Sequence, residues 1–224
     1  MSDGPSILLE SARTYLARGY AVIPVPARKK IPVLKGWTDL RLSESDLPAH
    51  FNGTGNIGVL LGEPSGWLVD VDLDCEEAVA LAPNFLPPTG ATSGRPGKPA
   101  SHWWYICEGI KTRKHQDPVS KKMIVELRST GAQTVVGPSI HPSGEPYAPL
   151  DGEPAVVDSG ELAAAVAALA EAVTDARHGL KETIASQSRS LGSDRLPAGD
   201  AVLRRAAAYL DRIPPAISGS GGHS

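Results

Sequence analysis

The sequence predicts a mixed α/β or α+β fold, in which short strands alternate with a few helices. Six segments between residues 20 and 141 combine apolar runs with turn-forming boundaries, as short strands do. After Pro149 the chain changes to alanine-rich sequence with helical periodicity. Interleaved strands and helices are typical of these two fold classes. The 224 residues are enough for one large domain, or for one domain with a small appendage.

The first third of the chain predicts one helix, three strands and a second helix. Apolar residues recur at helical spacing at Leu8, Ala12, Tyr15 and Leu16. Ser6 is suited to cap this helix, and Gly19 is suited to end it. Strands are then expected in YAVIPVP, NIGVLLG and WLVDVDLD, with ARKKIPVLKGW as a basic loop between the first two. CEEAVALA is predicted to be a short helix.

The rest of the chain predicts a loop, three more strands and two helices. PPTGATSGRPGKPAS is expected to be a loop, followed by strands in HWWYIC, KMIVELRS and AQTVVGPSIH. ELAAAVAALAEAV is predicted to be a helix, with Asp158 and Glu161 as a capping box. We expect a folded domain at 1–178, a polar linker at 179–197 and the truncated start of a helical region at 198–224.

The third predicted strand carries three aspartates at alternate positions. Period-two alternation places Asp70, Asp72 and Asp74 on one face, although aspartate is depleted in strands and like charges repel. Carboxylates on one face about 6–7 Å apart can converge on hard divalent cations. A solvent-facing acidic strand is the alternative explanation. Asp74 is expected to cap the following helix rather than to join the other two.

Three further segments carry candidate functional residues. His102 begins an aromatic strand after a flexible basic loop containing Arg95 and Lys98, which could contact an anion. Glu126 and Arg128 lie two residues apart on an otherwise apolar strand, where they either pair with each other or serve a ligand. Each of these residues also has a purely structural interpretation. The remaining candidates are Ser139 and His141, which lie in a turn after the last strand. They could contact a ligand or simply cap the turn.

Charge and cysteine content limit the classes of function. The formal net charge of −3 argues weakly against a nucleic-acid-binding protein, but the charge is uneven along the chain. Residues 88–130 hold eight Lys or Arg against three acids, which is either a solvated surface or a phosphate-facing side. A second basic cluster contains Arg28, Lys29, Lys30 and Lys35.

The sequence also argues against a zinc site and a membrane protein. Cys75 and Cys107 are the two cysteines, and no Cys or His spacing suggests zinc, so no zinc is expected. No apolar run approaches the roughly 20 residues of a membrane helix, and the N-terminus does not match a signal peptide. We therefore expect no membrane partner and a cytoplasmic location.

Taken in order, these motifs resemble the archaeo-eukaryotic primase superfamily, in particular the phage- and plasmid-type bifunctional primase/polymerase (prim-pol) domain. Asp70 and Asp72 match the DxD motif, and Ala100–His102 matches the small-x-His motif. Glu126 occupies the position of a third acid that is commonly Asp, and GPS replaces the frequent double proline before Ser139. The segments YLARGYAVIPVPARKKIPVLKGW and NIGVLLGEPSGWLVDVD are also similar. The resemblance covers roughly residues 7–150.

The resemblance implies a template-dependent DNA primase/polymerase that acts in a bacterial cell and is encoded by the host, a phage or a plasmid. It implies an RRM-like antiparallel or mixed sheet flanked by helices and followed by C-terminal helices. Its substrates would be nucleoside triphosphates, either dNTPs or NTPs, with a single-stranded DNA template and a primer. The tail is similar to the start of the region after the catalytic domain in phage primase-helicases, so a downstream helicase region of a longer protein is a possible partner.

Our hypothesis assigns a role to each matched residue. Asp70, Asp72 and Glu126 would hold two Mg²⁺ or Mn²⁺ ions for nucleotidyl transfer. His102 would bind the triphosphate together with Arg128, Ser139 and His141. Looser candidates for phosphate or template contact are Lys30, Arg95 and Lys98. The alternatives are a two-metal nuclease, a DxD nucleotidyl- or glycosyltransferase, and a catalytically inactive nucleic-acid-binding module.

Overall fold

The structure is a computed structural model and describes residues 6–178. The chain divides into two compact units, Met1–Glu171 and Ala172–Ser224. Of the second unit, residues 172–178 are described, and they form the end of the last helix. The linker and the second C-terminal helix expected from the sequence lie outside the described residues.

The described residues form four helices and nine strands. The helices are α1 (Ile7–Ala17), α2 (Leu47–His50), α3 (Glu76–Phe85) and α4 (Ser159–His178). The strands are β1 (Val22–Val25), β2 (Asn56–Leu60), β3 (Leu68–Leu73), β4 (Thr92–Arg95), β5 (Lys98–Ile106), β6 (Arg113–Gln116), β7 (Met123–Arg128), β8 (Gln133–Val136) and β9 (Ala155–Val156).

The strands form two sheets in the first unit. A three-stranded antiparallel sheet has the order β1-β2-β8. A larger sheet has the order β4-β5-β3-β7-β6, with antiparallel neighbours throughout, and the short β9 pairs in parallel with β5. The expected mixed α+β fold is confirmed. Strand β3 lies in the middle of the larger sheet, so any side chain at its centre has a neighbour on both sides.

Helix α1 packs its apolar stripe against the core, as the sequence predicts. Its buried residues are Leu8, Leu9, Ala12 and Tyr15. The Ser6 hydroxyl accepts a hydrogen bond from the Leu9 backbone N–H at 3.2 Å, which confirms the predicted N-cap. Gly19 follows the helix with a φ of +82°, a conformation that glycine adopts without strain.

Two local predictions differ from the structure. The segment expected to be a loop before His102 contains β4 and the first residues of β5, which form a hairpin closed by the Arg95–Lys98 pair. Pro96 and Gly97 form only the turn of this hairpin, but turn-forming residues throughout the segment favoured a loop in the sequence. The sequence reasoning also proposed no strand at β6.

The assignment of Asp74 as a helix cap is wrong. Strand β3 ends at Leu73 and helix α3 begins at Glu76, so the N-cap position falls on Cys75, one residue later. The Asp74 backbone N–H still pairs with the carbonyl of Ile124 on β7 at 2.8 Å. Its carboxylate lies 3.9 Å from the Lys98 ammonium. Asp74 therefore extends the row of acids on β3 instead of starting the helix.

Candidate active site

The register of the larger sheet brings the predicted acidic and histidine residues together. Asp72 on β3 lies directly opposite His102 on β5 and opposite Glu126 on β7. Asp70 lies opposite Arg128 on β7 in the same way. Directly paired residues of antiparallel strands project to the same face. Five candidate residues therefore share one face of three adjacent strands: Asp70, Asp72, His102, Glu126 and Arg128.

Asp70 is a fully buried carboxylate with several partners. The His102 Nδ1 atom lies 3.1 and 3.0 Å from its two oxygens, and the Thr134 hydroxyl donates to Oδ2 at 2.6 Å. The Arg128 Nη1 atom lies 3.9 Å from the same oxygen. This contact of Nδ1 with both carboxylate oxygens fixes the orientation of the His102 ring. The solvent-facing alternative does not hold for Asp70.

Asp72 lies closer to the surface and faces the same cations. Its side chain is 17% exposed, and its carboxylate lies 3.5 Å from Arg128 Nη1 and 3.7 Å from His102 Nδ1. Asp70, Asp72 and His102 each offer a ligand atom within 4.8 Å of the others. Two carboxylates and an imidazole at this spacing could hold a divalent metal ion.

Glu126 lies beside this group but is engaged elsewhere. Its carboxylate is 3.3 Å from Lys114 Nζ and 3.3 Å from Arg128 Nε. It is not a member of the Asp70–Asp72–His102 group. Its role as a third metal ligand stays a prediction, and the structure adds His102 as a candidate ligand that the sequence reasoning reserved for the triphosphate.

The acids of the site favour the charged forms of its two largely buried bases, His102 and Arg128. Burial lowers the pKa of His102, and the carboxylates of Asp70 and Asp72 raise it by more, so the net shift is upward. Burial likewise lowers the pKa of Arg128, while the same two acids and Glu126 raise it above its usual value. Arg128 also donates to the Thr134 hydroxyl at 3.1 Å. Acids and cations thus compensate one another in a largely buried cluster.

A pocket opens at this cluster, and most of its charged lining is basic. Five of the predicted phosphate-contacting residues line it, together with Asp72 and Asp74: Lys30, Arg95, Lys98, His102 and Arg128. Arg95 forms a short ion pair with Glu145, which also accepts a hydrogen bond from the Gly97 N–H. The pocket therefore places acidic side chains next to four basic ones, which we call the cationic wall: Lys30, Arg95, Lys98 and Arg128.

Ser139 and His141 do not line this pocket. Ser139 is fully buried, and its hydroxyl accepts a hydrogen bond from the Ile57 N–H at 2.8 Å, which fastens the turn to β2. The His141 ring packs edge-on against Tyr147 at 5.6 Å and hydrogen-bonds Ser143. Both residues lie next to the pocket lining through their neighbours, and their contact with a triphosphate stays a prediction.

Thr134 links the two sheets at the site and was not predicted from the sequence. It lies on β8, and its hydroxyl connects Asp70 with Arg128. The only sequence signal was a threonine inside the otherwise apolar run TVV, which is also an ordinary strand residue. Gln133, next to it, lines the pocket as well.

A family model described as bifunctional DNA primase/polymerase, N-terminal, matches residues 12–172. The matched range contains every residue of the pocket and of the Asp70–Asp72–His102 group. No curated protein matches the chain.

Proposed function

The chain belongs to the bifunctional DNA primase/polymerase N-terminal domain family, and on this premise we propose that it is a template-dependent DNA polymerase that can also prime. In the proposed reaction, the oxygen of a primer 3′-hydroxyl, or of an initiating nucleotide, forms a bond to the α-phosphorus of a nucleoside triphosphate. The bond from that phosphorus to pyrophosphate breaks, and the hydroxyl proton passes to solvent. We place this activity in phage- or plasmid-type DNA replication.

The observation that carries the proposal is the contact between the acidic group and the cationic wall. Asp72 and His102 belong to the possible metal-binding group and also line the pocket beside Arg95, Lys98 and Arg128. A triphosphate carries several negative charges, and a cationic pocket next to paired carboxylates binds it while holding its metal ions. The acidic group alone would not bind the triphosphate, and the cationic side chains alone would not hold its metal ions.

The donor atoms fit a divalent ion such as Mg²⁺ or Mn²⁺. Asp70 is held rigidly by His102 and Thr134, and Asp72 reaches the pocket surface. A hard cation prefers such oxygen ligands, and the imidazole nitrogen is also suited to Mn²⁺. Asp70, Asp72 and His102 would hold one ion, and Glu126 would complete a two-ion site. A bound divalent ion would lower the pKa of the attacking hydroxyl and neutralise charge on the phosphates.

The remaining pocket residues would position the nucleotide. Arg128, Arg95 and Lys98 would contact the triphosphate oxygens, since guanidinium and ammonium groups are suited to phosphate. The hydrogen bond between His102 Nδ1 and Asp70 fixes the ring and leaves Nε2 to face a ligand. Holding the reacting groups in line supplies a large part of the rate enhancement in such transfers.

The test is nucleotide incorporation on a primed template by Asp72→Asn, compared with the wild-type chain. We choose Asp72 because it reaches the pocket surface, whereas Asp70 is buried and its loss would disturb the fold. Removing one carboxylate from the metal-binding group should lower incorporation by at least about 100-fold, in line with the loss of a transition-state charge contact. Asp151→Asn, at an exposed aspartate outside the pocket, is the matched control and should keep full activity.

The same assay distinguishes the alternatives. Wild-type incorporation that survives in Asp72→Asn would contradict the assignment of this carboxylate. Shortening of the labelled primer without extension would indicate a nuclease. DNA binding that is independent of divalent metal, with no pyrophosphate released by the wild-type chain, would indicate a non-catalytic module.

A further inference from the structure

The loop between β1 and the short helical turn at Trp37–Asp39 is strongly basic. No acidic residue occurs between Glu10 and Asp39. The segment 28–35, which we call the basic loop, contains four exposed cations: Arg28, Lys29, Lys30 and Lys35. Although the net charge of the chain is −3, this loop presents a local surface of one sign.

The basic loop also exposes large apolar side chains. Ile31 is 73% exposed, Val33 is 81% exposed and Leu34 is 42% exposed. Each isolated exposed aliphatic residue is unremarkable in a folded protein, but a cluster of them among cations marks a surface for a partner. Trp37 does not belong to this exposed cluster, because it packs against the small core cluster formed by Ala21, Ile23 and Leu60.

The backbone of the basic loop is fastened to the sheet that borders the pocket. The Lys29 carbonyl accepts a hydrogen bond from the Asn56 side chain at 3.0 Å, and the Lys30 carbonyl accepts one from Gln133 at 2.6 Å. Pro32 is buried between the exposed residues. The apolar side chains are therefore held outward by a fixed backbone, which reduces the entropy that binding would cost.

The basic loop leads directly into the pocket. Lys30 lines the pocket with Asp72 and His102, and Gln133 lines it too. A molecule that contacts the loop and follows Lys30 therefore reaches the site where nucleotide addition is proposed. The occupant must carry negative charge along its length and also offer apolar faces, because Ile31 and Val33 lie between the cations Lys30 and Lys35.

We propose that the basic loop binds the single-stranded DNA template next to the nucleotide pocket. A single strand has a phosphate for every nucleotide and unpaired bases whose faces are free, whereas a duplex keeps those faces stacked inside. The cations contact phosphates, and Ile31 and Val33 cover the faces of the bases. This inference rests on the proposed function, which supplies the template as a substrate.

The first test measures the affinity of the full chain for a labelled oligothymidine by fluorescence anisotropy over a salt series. Lys29→Gln combined with Lys35→Gln removes two cations that do not line the pocket. Each lost phosphate contact should raise Kd about five-fold at about 0.1 M salt and should reduce the salt slope by about 0.7. The matched control is Lys121→Gln with Lys122→Gln, which makes the same change in net charge at exposed positions between β6 and β7. The control should leave Kd within about two-fold of the wild-type value.

The second test replaces the apolar contacts. Ile31→Ser combined with Val33→Ser should raise Kd at least about three-fold without changing the salt slope, because no ion pair is lost. Val119→Ser with Val156→Ser is the matched control, since these residues are 72% and 82% exposed elsewhere on the chain. Thermal melting of every variant should match the wild-type protein, because the substituted side chains lie in solvent.

The outcomes separate this inference from the proposed function. Loop variants that bind oligothymidine as tightly as their controls would overturn the inference even if the wild-type chain extends primers. Loss of binding to phosphatidylserine vesicles, or of self-association, with oligothymidine binding intact would assign the loop to a membrane or to a second copy and overturn it as well. If the loop variants lose oligothymidine binding while the wild-type chain adds no nucleotide, the loop assignment stands and the proposed function fails.

Discussion

Asp70 illustrates how a single residue serves both the fold and the site. A buried ionised carboxylate is costly unless hydrogen bonds and opposite charges compensate it. Here His102 and Thr134 hydrogen-bond it, and Arg128 lies 3.9 Å away. The same partners that make burial tolerable also fix the carboxylate in position. We therefore expect substitutions around Asp70 to change stability and nucleotide addition together.

Thr134→Val tests this coupling at the scale of one hydroxyl group. The change keeps the shape of the side chain but removes the donor to Asp70 and the acceptor for Arg128. Leaving buried polar groups without a partner should lower the free energy of unfolding by about 1–3 kcal/mol. Urea unfolding measures this loss, and Thr54→Val, at an exposed threonine, is the matched control. Equal stability of the two variants would show that the hydroxyl bridge contributes nothing.

At the scale of elements, the β4–β5 hairpin positions the cationic wall. Arg95 ends β4 and Lys98 begins β5, and the two residues pair across the turn. The register shifts between Ser93 and Arg95, where Gly94 packs tightly against the opposite strand. A Cβ atom at Gly94 would lie 2.5 Å from the Lys98 carbonyl oxygen and 2.9 Å from the Ala100 nitrogen. The close approach of two backbones explains why glycine occupies this position.

Gly94→Ala should therefore displace the hairpin and weaken nucleotide binding. Both clashing atoms belong to the backbone, so a side-chain rotation cannot relieve the contact. Overpacking of this kind should cost about 1–3 kcal/mol of stability, and the shift of Arg95 and Lys98 should raise the Kd of a fluorescent dATP analogue several-fold. Gly53→Ala is the control, because its Cβ would meet no atom within 4 Å. Unchanged affinity in Gly94→Ala would show that the position of the hairpin does not affect nucleotide binding.

At the scale of the whole molecule, the site depends on both sheets of the first unit. The larger sheet supplies Asp70, Asp72, His102 and Arg128, and the three-stranded sheet supplies Thr134. The family match at residues 12–172 closely follows this unit, Met1–Glu171. Within residues 6–178, none of the helices has the length and apolar character needed to cross a bilayer. We keep 1–178 as the proposed extent of the catalytic domain.

A site built from two sheets predicts that metal binding stabilises the whole unit. A ligand present at about 100 times its Kd stabilises the folded state by about 2.7 kcal/mol. For a domain of this size, that corresponds to a rise in Tm of about 5–10 °C. Differential scanning fluorimetry of the metal-free protein with added Mn²⁺ or Mg²⁺ measures the rise. Asp72→Asn should abolish most of it and Asp151→Asn should not, so an equal rise in both variants would place the ion elsewhere.

The sequence by itself determined three of the four helices and six of the nine strands in the described residues, together with the family resemblance and most of the residues at the site. Period-two alternation identified the acidic face of β3, and helical spacing with Ser6 and Gly19 identified α1 and its ends. These signals are local, because they depend on the geometry of one strand or one helix turn. The motif order then related Asp70, Asp72, His102 and Glu126 before any contact between them was known.

Only the tertiary structure decided which of these residues touch. Because β3 pairs with β5 and β7, His102 hydrogen-bonds Asp70. Glu126 instead forms ion pairs with Lys114 and Arg128. The Ser139 hydroxyl accepts a hydrogen bond from β2, and Thr134 reaches Asp70 from the three-stranded sheet. Strand register and burial arise from packing between distant segments, which local sequence patterns do not encode.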